Sequence, residues 1–231
     1  MANEVALIVG VGKGLSASIA RLCAREGMRV AIAARDLAKL QPLIDETKAS
    51  AFACDASEPD DVAKLFDRVS SELGVPSLVV FNAGMRARGP IAELDVEKVK
   101  RAWLVGGYGG ILVGQQAAQR MLPRGKGTII FTGATASVKG YAESAPFAMT
   151  KFSLRGLAQS MARELAPKGI HVAHVVIDGG ISSSYAIDDA DKSTDRGLDP
   201  DAIAQTYLQL HRQHRSAWTW EIEVRPWLEK F

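Results

Sequence analysis

The sequence predicts an α/β domain with a doubly wound parallel sheet of about seven strands and helices on both faces. Three observations carry that prediction. Short β-branched runs alternate with longer helical patterns along the whole chain. The runs are almost continuously apolar, as strands covered on both faces must be. A glycine-rich turn joins the first run to the first helical pattern. The chain has 231 residues, 47% hydrophobic and 23% charged, which suits a single domain over 1–231.

The strands are expected at 4–9, 29–34, 49–54, 77–81, 127–132, 170–177 and 221–224. Helical patterns fall between them at about 15–26, 37–47, 58–73, 95–121, 148–166 and 200–213. Two helix starts carry local signals. Ser57 with Pro59 and Asp60 reads as a capping box, and Asp199 reads as an N-cap followed by Pro200 at the first helical position. Repeated strand–helix alternation requires parallel strands joined by right-handed crossovers, a Rossmann-like arrangement. The polar stretch 182–199 is long for a loop and suits a substrate lid, with Tyr185, Ile187 and Leu198 as its large apolar groups. Residues 216–231 hold three of the four tryptophans and are expected to form the last strand and an aromatic tail.

Bulk properties narrow the function. A formal net charge of +2 gives no electrostatic case for nucleic acid or a membrane surface. The two cysteines, Cys23 and Cys54, form no CxxC pair, so a reducing cytoplasm is the expected compartment. The N-terminus lacks a basic region before its apolar run and does not read as a signal peptide, and no later run is long enough to span a membrane. His171 and His174 fall on opposite faces of one strand, and His211 and His214 have no acidic or thiol partner nearby, so no metal site is expected.

The glycine turn "LIVGVGKGLSASIA" points to a phosphate. Gly10, Gly12 and Gly14 allow a tight turn and close backbone approach, and the helix start beyond them carries partial positive charge. The second strand ends in "AARD". A carboxylate there suits the ribose 2′-hydroxyl of NAD, whereas an arginine suits a 2′-phosphate. Arg35 stands there, and Lys13 in the glycine turn can reach the same group, so the expected cofactor is NADP(H).

Further motifs carry a family resemblance. From Gly10 the turn reads G-x-G-x-G, close to a G-x-x-x-G-x-G pattern but with Ser16 where its last glycine would fall. Asp55 follows the third strand, "NAG" (Asn82, Ala83, Gly84) follows the fourth, and Lys151 lies near the start of a helix after the fifth. Together they resemble the short-chain dehydrogenase/reductase family over residues 4 to about 182. The resemblance implies that Gly10, Gly14 and Leu15 form the pyrophosphate turn and that Asp55 and Ala56 border the adenine. It also implies that Asn82, Ala83 and Gly84 pass beneath the cofactor, with Gly179 and Ile181 beside the nicotinamide in "IDGGI". A homodimer or homotetramer through the 95–121 and 148–166 helices is implied as well, with Trp103 and Tyr108 as anchors or as core.

The catalytic residues depart from the family pattern. The family places a tyrosine four residues before its lysine; here Phe147 precedes Lys151. Gly106 stands where the family's helical asparagine falls. The family's serine maps to Ala134 or Thr135 by spacing, and to Ser137 if the loop is shorter. The expected function is an NADP(H)-dependent oxidoreductase acting on a small carbonyl, alcohol or enone. Lys151, Ser137 and Tyr141 are the catalytic candidates, Lys151 also binding the nicotinamide ribose. The alternative is an NADP(H)-binding partner subunit without redox activity.

Overall fold

The computed structural model describes residues 4–182 and 197–228. Seven strands form one sheet: β1 (Val5–Val9), β2 (Arg29–Ala34), β3 (Ser50–Ala53), β4 (Leu78–Phe81), β5 (Gly127–Thr132), β6 (Ile170–Ile177) and β7 (Glu221–Val224). Their order is β3-β2-β1-β4-β5-β6-β7, and every pairing is parallel. Among the described residues the α-helices are α1 (Leu15–Arg25), α2 (Gln41–Thr47), α3 (Pro59–Glu72), α4 (Val96–Trp103), α5 (Gly109–Met121), α6 (Ala145–Leu165) and α7 (Pro200–Arg212).

Burial on both faces follows from the continuous apolar strands. On β1, Ala6 and Ile8 join the core beneath α1 and α7, while Val5, Leu7 and Val9 join the core beneath α3, α5 and α6. The same alternation on β2 sends Val30 and Ile32 one way and Ala31 and Ala33 the other. A period of two with apolar residues at every position makes a strand that stacks helices on both sides. The winding reverses between β1 and β4. The crevice beyond the strand ends at that point is where an open parallel sheet binds ligands.

Several local expectations are corrected. The 95–121 helix is broken by a π-helical turn, Leu104–Tyr108, between α4 and α5. Helix α6 starts at Ala145 with Pro146 in its first turn, three residues earlier than the pattern suggested, so Lys151 sits in its second turn. The capping box at Ser57 does not form. Glu58 is the N-cap of α3 with no side-chain bond, and the Ser57 hydroxyl instead donates to Asp55 Oδ1 at 2.6 Å. Asp199 does cap α7, accepting from the Asp201 amide at 2.7 Å.

Most of the expected lid, including Tyr185 and Ile187, lies outside the described residues. The two ends of that segment are joined. Leu198 N–H donates to the Gly180 carbonyl at 2.8 Å, and Ser182 N–H donates to the Leu198 carbonyl at 3.0 Å. In the tail, Trp218 stacks on His171 with ring centroids 5.0 Å apart, while Trp227 is largely exposed. Among the described residues no helix is long and apolar enough to cross a membrane, and no His/Cys/Asp/Glu group could hold a metal.

Candidate active site

Two cavities open at the carboxyl ends of the strands and share Asn82 and Gly84 in their walls. The first, about 470 Å³, is lined by Gly10, Gly12, Lys13, Arg35, Asp55, Ala56 and Ala83 among others. An adjoining recess adds Gly14 and Leu15. The second, about 480 Å³, is lined by Arg86, Thr132, Ala134, Phe147, Lys151, Gly179 and Ile181 among others. Every residue expected to touch the cofactor therefore lines one connected trough.

The phosphate end is built from backbone. Gly10 has φ +88°, and a Cβ there would sit 2.3 Å from the Ala83 nitrogen, so the turn and the β4 end can meet only with glycine. A Cβ at Gly12 would meet nothing, which leaves the turn open toward the cavity. No side chain caps α1 and no acid lies in its first turn, so its positive end is available to an anion. Ser16 completes the turn: its hydroxyl donates to the Gly10 carbonyl at 3.1 Å and accepts from Asn82 Nδ2 at 2.5 Å. Beyond β2, Lys13, Arg35 and Lys39 converge on the cavity wall. The nearby carboxylate, Asp36, is engaged by Lys39 at 3.0 Å and by the Ala38 amide at 3.1 Å.

The other end is built from side chains. Lys151 is only 7% exposed, and its ammonium donates to the Thr132 carbonyl at 2.7 Å. Burial, with the Arg86 charge adding to it, pulls the lysine pKa down to about 8. Phe147, one helical turn before Lys151, lies near two cations. The Lys151 nitrogen is 5.8 Å and the Arg86 guanidinium carbon 5.0 Å from its ring centroid.

A sequence model of the short chain dehydrogenase family matches residues 4–192. The chain belongs to the short-chain dehydrogenase family. It is 36% identical to a short-chain dehydrogenase from Rhodopseudomonas palustris of known crystal structure, with a TM-score of 0.85 over 97% of this chain and 99% of that one. It is 27% identical to a metagenomic short-chain oxidoreductase crystallised with NADP, with a TM-score of 0.85 over 99% of both chains. It is also 26% identical to the human 3-oxoacyl-[acyl-carrier-protein] reductase over 80% of this chain and 79% of that one.

Within this short-chain dehydrogenase the substituted positions have local causes. A Cβ on Gly106 would lie 2.4 Å from the Thr150 methyl, so the place of the asparagine side chain is taken by a threonine on α6. The glycine-rich turn holding Gly106 is the π-helical one; such turns often mark functional sites. Ala134 lines the second cavity but has no functional group.

Two of the catalytic candidates lie away from the cavity wall. Ser137 is 0% exposed and does not line the cavity. Its oxygen accepts from the Ala134 amide at 3.1 Å and lies 3.3 Å from His174 Nε2. Tyr141 is exposed, with Lys139 over its ring, and does not line the cavity either.

The buried chain around Ser137 continues outward. His174 Nδ1 lies 3.0 Å from Glu221, which can only accept, so Nδ1 carries the proton and Nε2 accepts from Ser137. Burial holds the imidazole at a pKa of about 4, so it is neutral at pH 7. Arg155 grips Glu221 with two bonds of 2.6 and 2.7 Å and keeps its carboxyl below the ordinary range. Arg225 likewise holds Asp178 at 2.7 Å, beside Gly179. Sequence reasoning missed Arg86, Thr132 and both ion pairs.

Proposed function

We propose that this chain is an NADP(H)-dependent oxidoreductase that interconverts a small carbonyl and its alcohol, or reduces an enone. The observation that carries the reading is the continuity of a backbone-lined phosphate cavity with a second cavity whose wall presents one buried, protonable lysine. Gly10, Gly12, Gly14 and Leu15 would hold the pyrophosphate, and Lys13 and Arg35 the 2′-phosphate. Asp55 and Ala56 would border the adenine, and Asn82, Ala83 and Gly84 would run beneath the cofactor. Lys151, Gly179 and Ile181 would hold the nicotinamide end. When bound, NADPH supplies a hydride. The proton is the task of this chain, and Lys151 is placed to give it. Its pKa of about 8 leaves it charged at neutral pH and matched to proton transfer there. Phe147 presents an apolar ring to that wall and has no proton of its own.

A second reading, an NADP(H)-binding subunit without redox chemistry, is favoured by the aromatic at position 147. Two measurements separate the readings. Fluorescence titration with NADPH and NADH tests the cofactor, and weaker binding of NADPH than NADH overturns the assignment of Lys13 and Arg35. A panel of carbonyls and enones, offered to the wild type and Phe147→Tyr, tests the chemistry. Tight NADPH binding with no turnover by either protein supports the subunit. We also infer a homodimer or homotetramer through the outer faces of α4, α5 and α6, where Trp103, Ile111, Met149 and Phe152 are exposed. Sedimentation of Phe152→Glu is the check, with dissociation expected.

A further inference from the structure

The buried chain from Arg155 to Ser137 meets the run of backbone that fixes the lysine. Thr132, Gly133 and Ala134 are consecutive residues of the second cavity's wall. The Thr132 carbonyl accepts from the Lys151 ammonium at 2.7 Å. The next two amides are tied as well. Gly133 N–H donates to the Val175 carbonyl at 2.7 Å, and Ala134 N–H donates to the Ser137 oxygen at 3.1 Å. A Cβ at position 133 would sit 2.4 Å from His174 Nε2 and 2.8 Å from the Ser137 oxygen. Glycine makes room for the imidazole, and it also frees the backbone to turn where the wall leaves β5. The bond from Ala134 to Ser137 removes that freedom. Ser137 and His174 are both 0% exposed, so water does not compete for the bond between them.

These bonds close a ring. It leaves α6 at Arg155, passes through Glu221, His174 and Ser137 to the 132–134 run, and returns to α6 at Lys151, one helical turn before Arg155. We propose that His174 and Ser137 are positioning residues for Lys151, the ring of bonds through them holding the Thr132 carbonyl against the ammonium. Their catalytic meaning rests on the oxidoreductase reading above. The charges that face this part of the ring are Arg86, from the segment after β4, toward Lys151, and Lys151, Arg155 and Glu221 toward His174. A neutral imidazole suits that place, because it accepts from Ser137 and adds no positive charge behind the lysine. Cutting the ring has a signed consequence. An ammonium that loses its carbonyl while it stays buried gives up its proton more readily. A wall that merely loosens admits water and moves the lysine the other way, toward its ordinary value of 10.5.

The readout is the titration of Lys151 by NMR in the full chain, with lysine labelled at Cε and the signal assigned by its loss in Lys151→Arg. It needs neither cofactor nor turnover. The wild type should titrate near 8. Ser137→Ala and His174→Leu should each lower the midpoint by about half a pH unit or more. The double variant should lower it no further, because both substitutions cut one ring. Where His174→Leu fails to fold, Ser137→Ala alone decides. An unchanged midpoint, a rise toward 10.5, or shifts that add in the double variant overturn the proposal. Fluorescence titration of NADPH on the same proteins keeps the two failures apart. Absent NADPH binding by the wild type sinks the oxidoreductase reading and leaves the lysine result standing.

Discussion

Around the first cavity the lining is largely backbone and small residues, supplied by the successive turns after β1, β2, β3 and β4. Around the second it is side chains that arrive from separate places: Arg86 after β4, Thr132 at the end of β5, Phe147 and Lys151 on α6, and Ile181 after β6. The first tolerates little change in shape, because its geometry is the fold's own. The second holds its position through ion pairs and hydrogen bonds from distant strands, and its chemistry can drift while the frame persists. Phe147 and Gly106 are that drift; Gly10 and Asn82 stand where it does not reach.

The contrast can be tested from its largest expected effect downward. Lys151→Met should lower carbonyl reduction by about 10²–10⁴-fold, the usual cost of a positioned acid, measured as kcat under saturating NADPH. In the wild type, reduction should fall as pH rises through about 8, where the buried lysine loses its proton. A flat profile to pH 10 would remove Lys151 from proton transfer. At the other end, Gly10→Ala places a Cβ 2.3 Å from backbone at a positive φ. It should cost about 2–4 kcal/mol of stability and weaken NADPH binding even where the protein folds. Denaturant melts with and without NADPH measure both.

A smaller effect separates the two dinucleotides. Arg35→Ala should weaken NADPH by roughly tenfold, the loss of one charged contact, and leave NADH nearly unchanged. The smallest is a slope. His174 has a folded pKa of about 4, below its ordinary value, so the unfolded chain binds more protons between those limits. Stability from the neutral imidazole is present above pH 6.5 and lost as pH falls toward 4. His174→Gln should flatten that acid limb in urea melts, and an unchanged limb would show that the Ser137–His174–Glu221 chain contributes nothing there.

The same contrast explains what the sequence disclosed. The first cavity is local. A strand, a glycine turn and a helix start lie within about a dozen residues, so Gly10, Gly12 and Gly14 declare their task by spacing. The apolar strands disclosed the sheet for the same reason. The second cavity is assembled across long separations, and nothing local pairs Glu221 with Arg155 or Arg225 with Asp178. Ser137 looked catalytic because its distance from the helix is nearly right. Its side chain turns to His174, a partner 37 residues away. Arg86 sat two residues past a recognised motif and looked like any exposed arginine. The π-helical turn lies in a glycine-rich stretch, where each glycine weakens an ordinary α-helix.

Gly106 also sets a limit for engineering. Rebuilding the family's usual catalytic set here is not a matter of restoring a tyrosine at 147 and an asparagine at 106. The Thr150 methyl already occupies the asparagine's first carbon, so that exchange requires a compensating cut at 150. Thr150 also bonds back to the Pro146 carbonyl at 2.9 Å, within the first turns of the helix that carries Lys151. The path back to the common chemistry therefore runs through 106 and 150 together. Asparagine at 106 introduced alone would meet the Thr150 methyl.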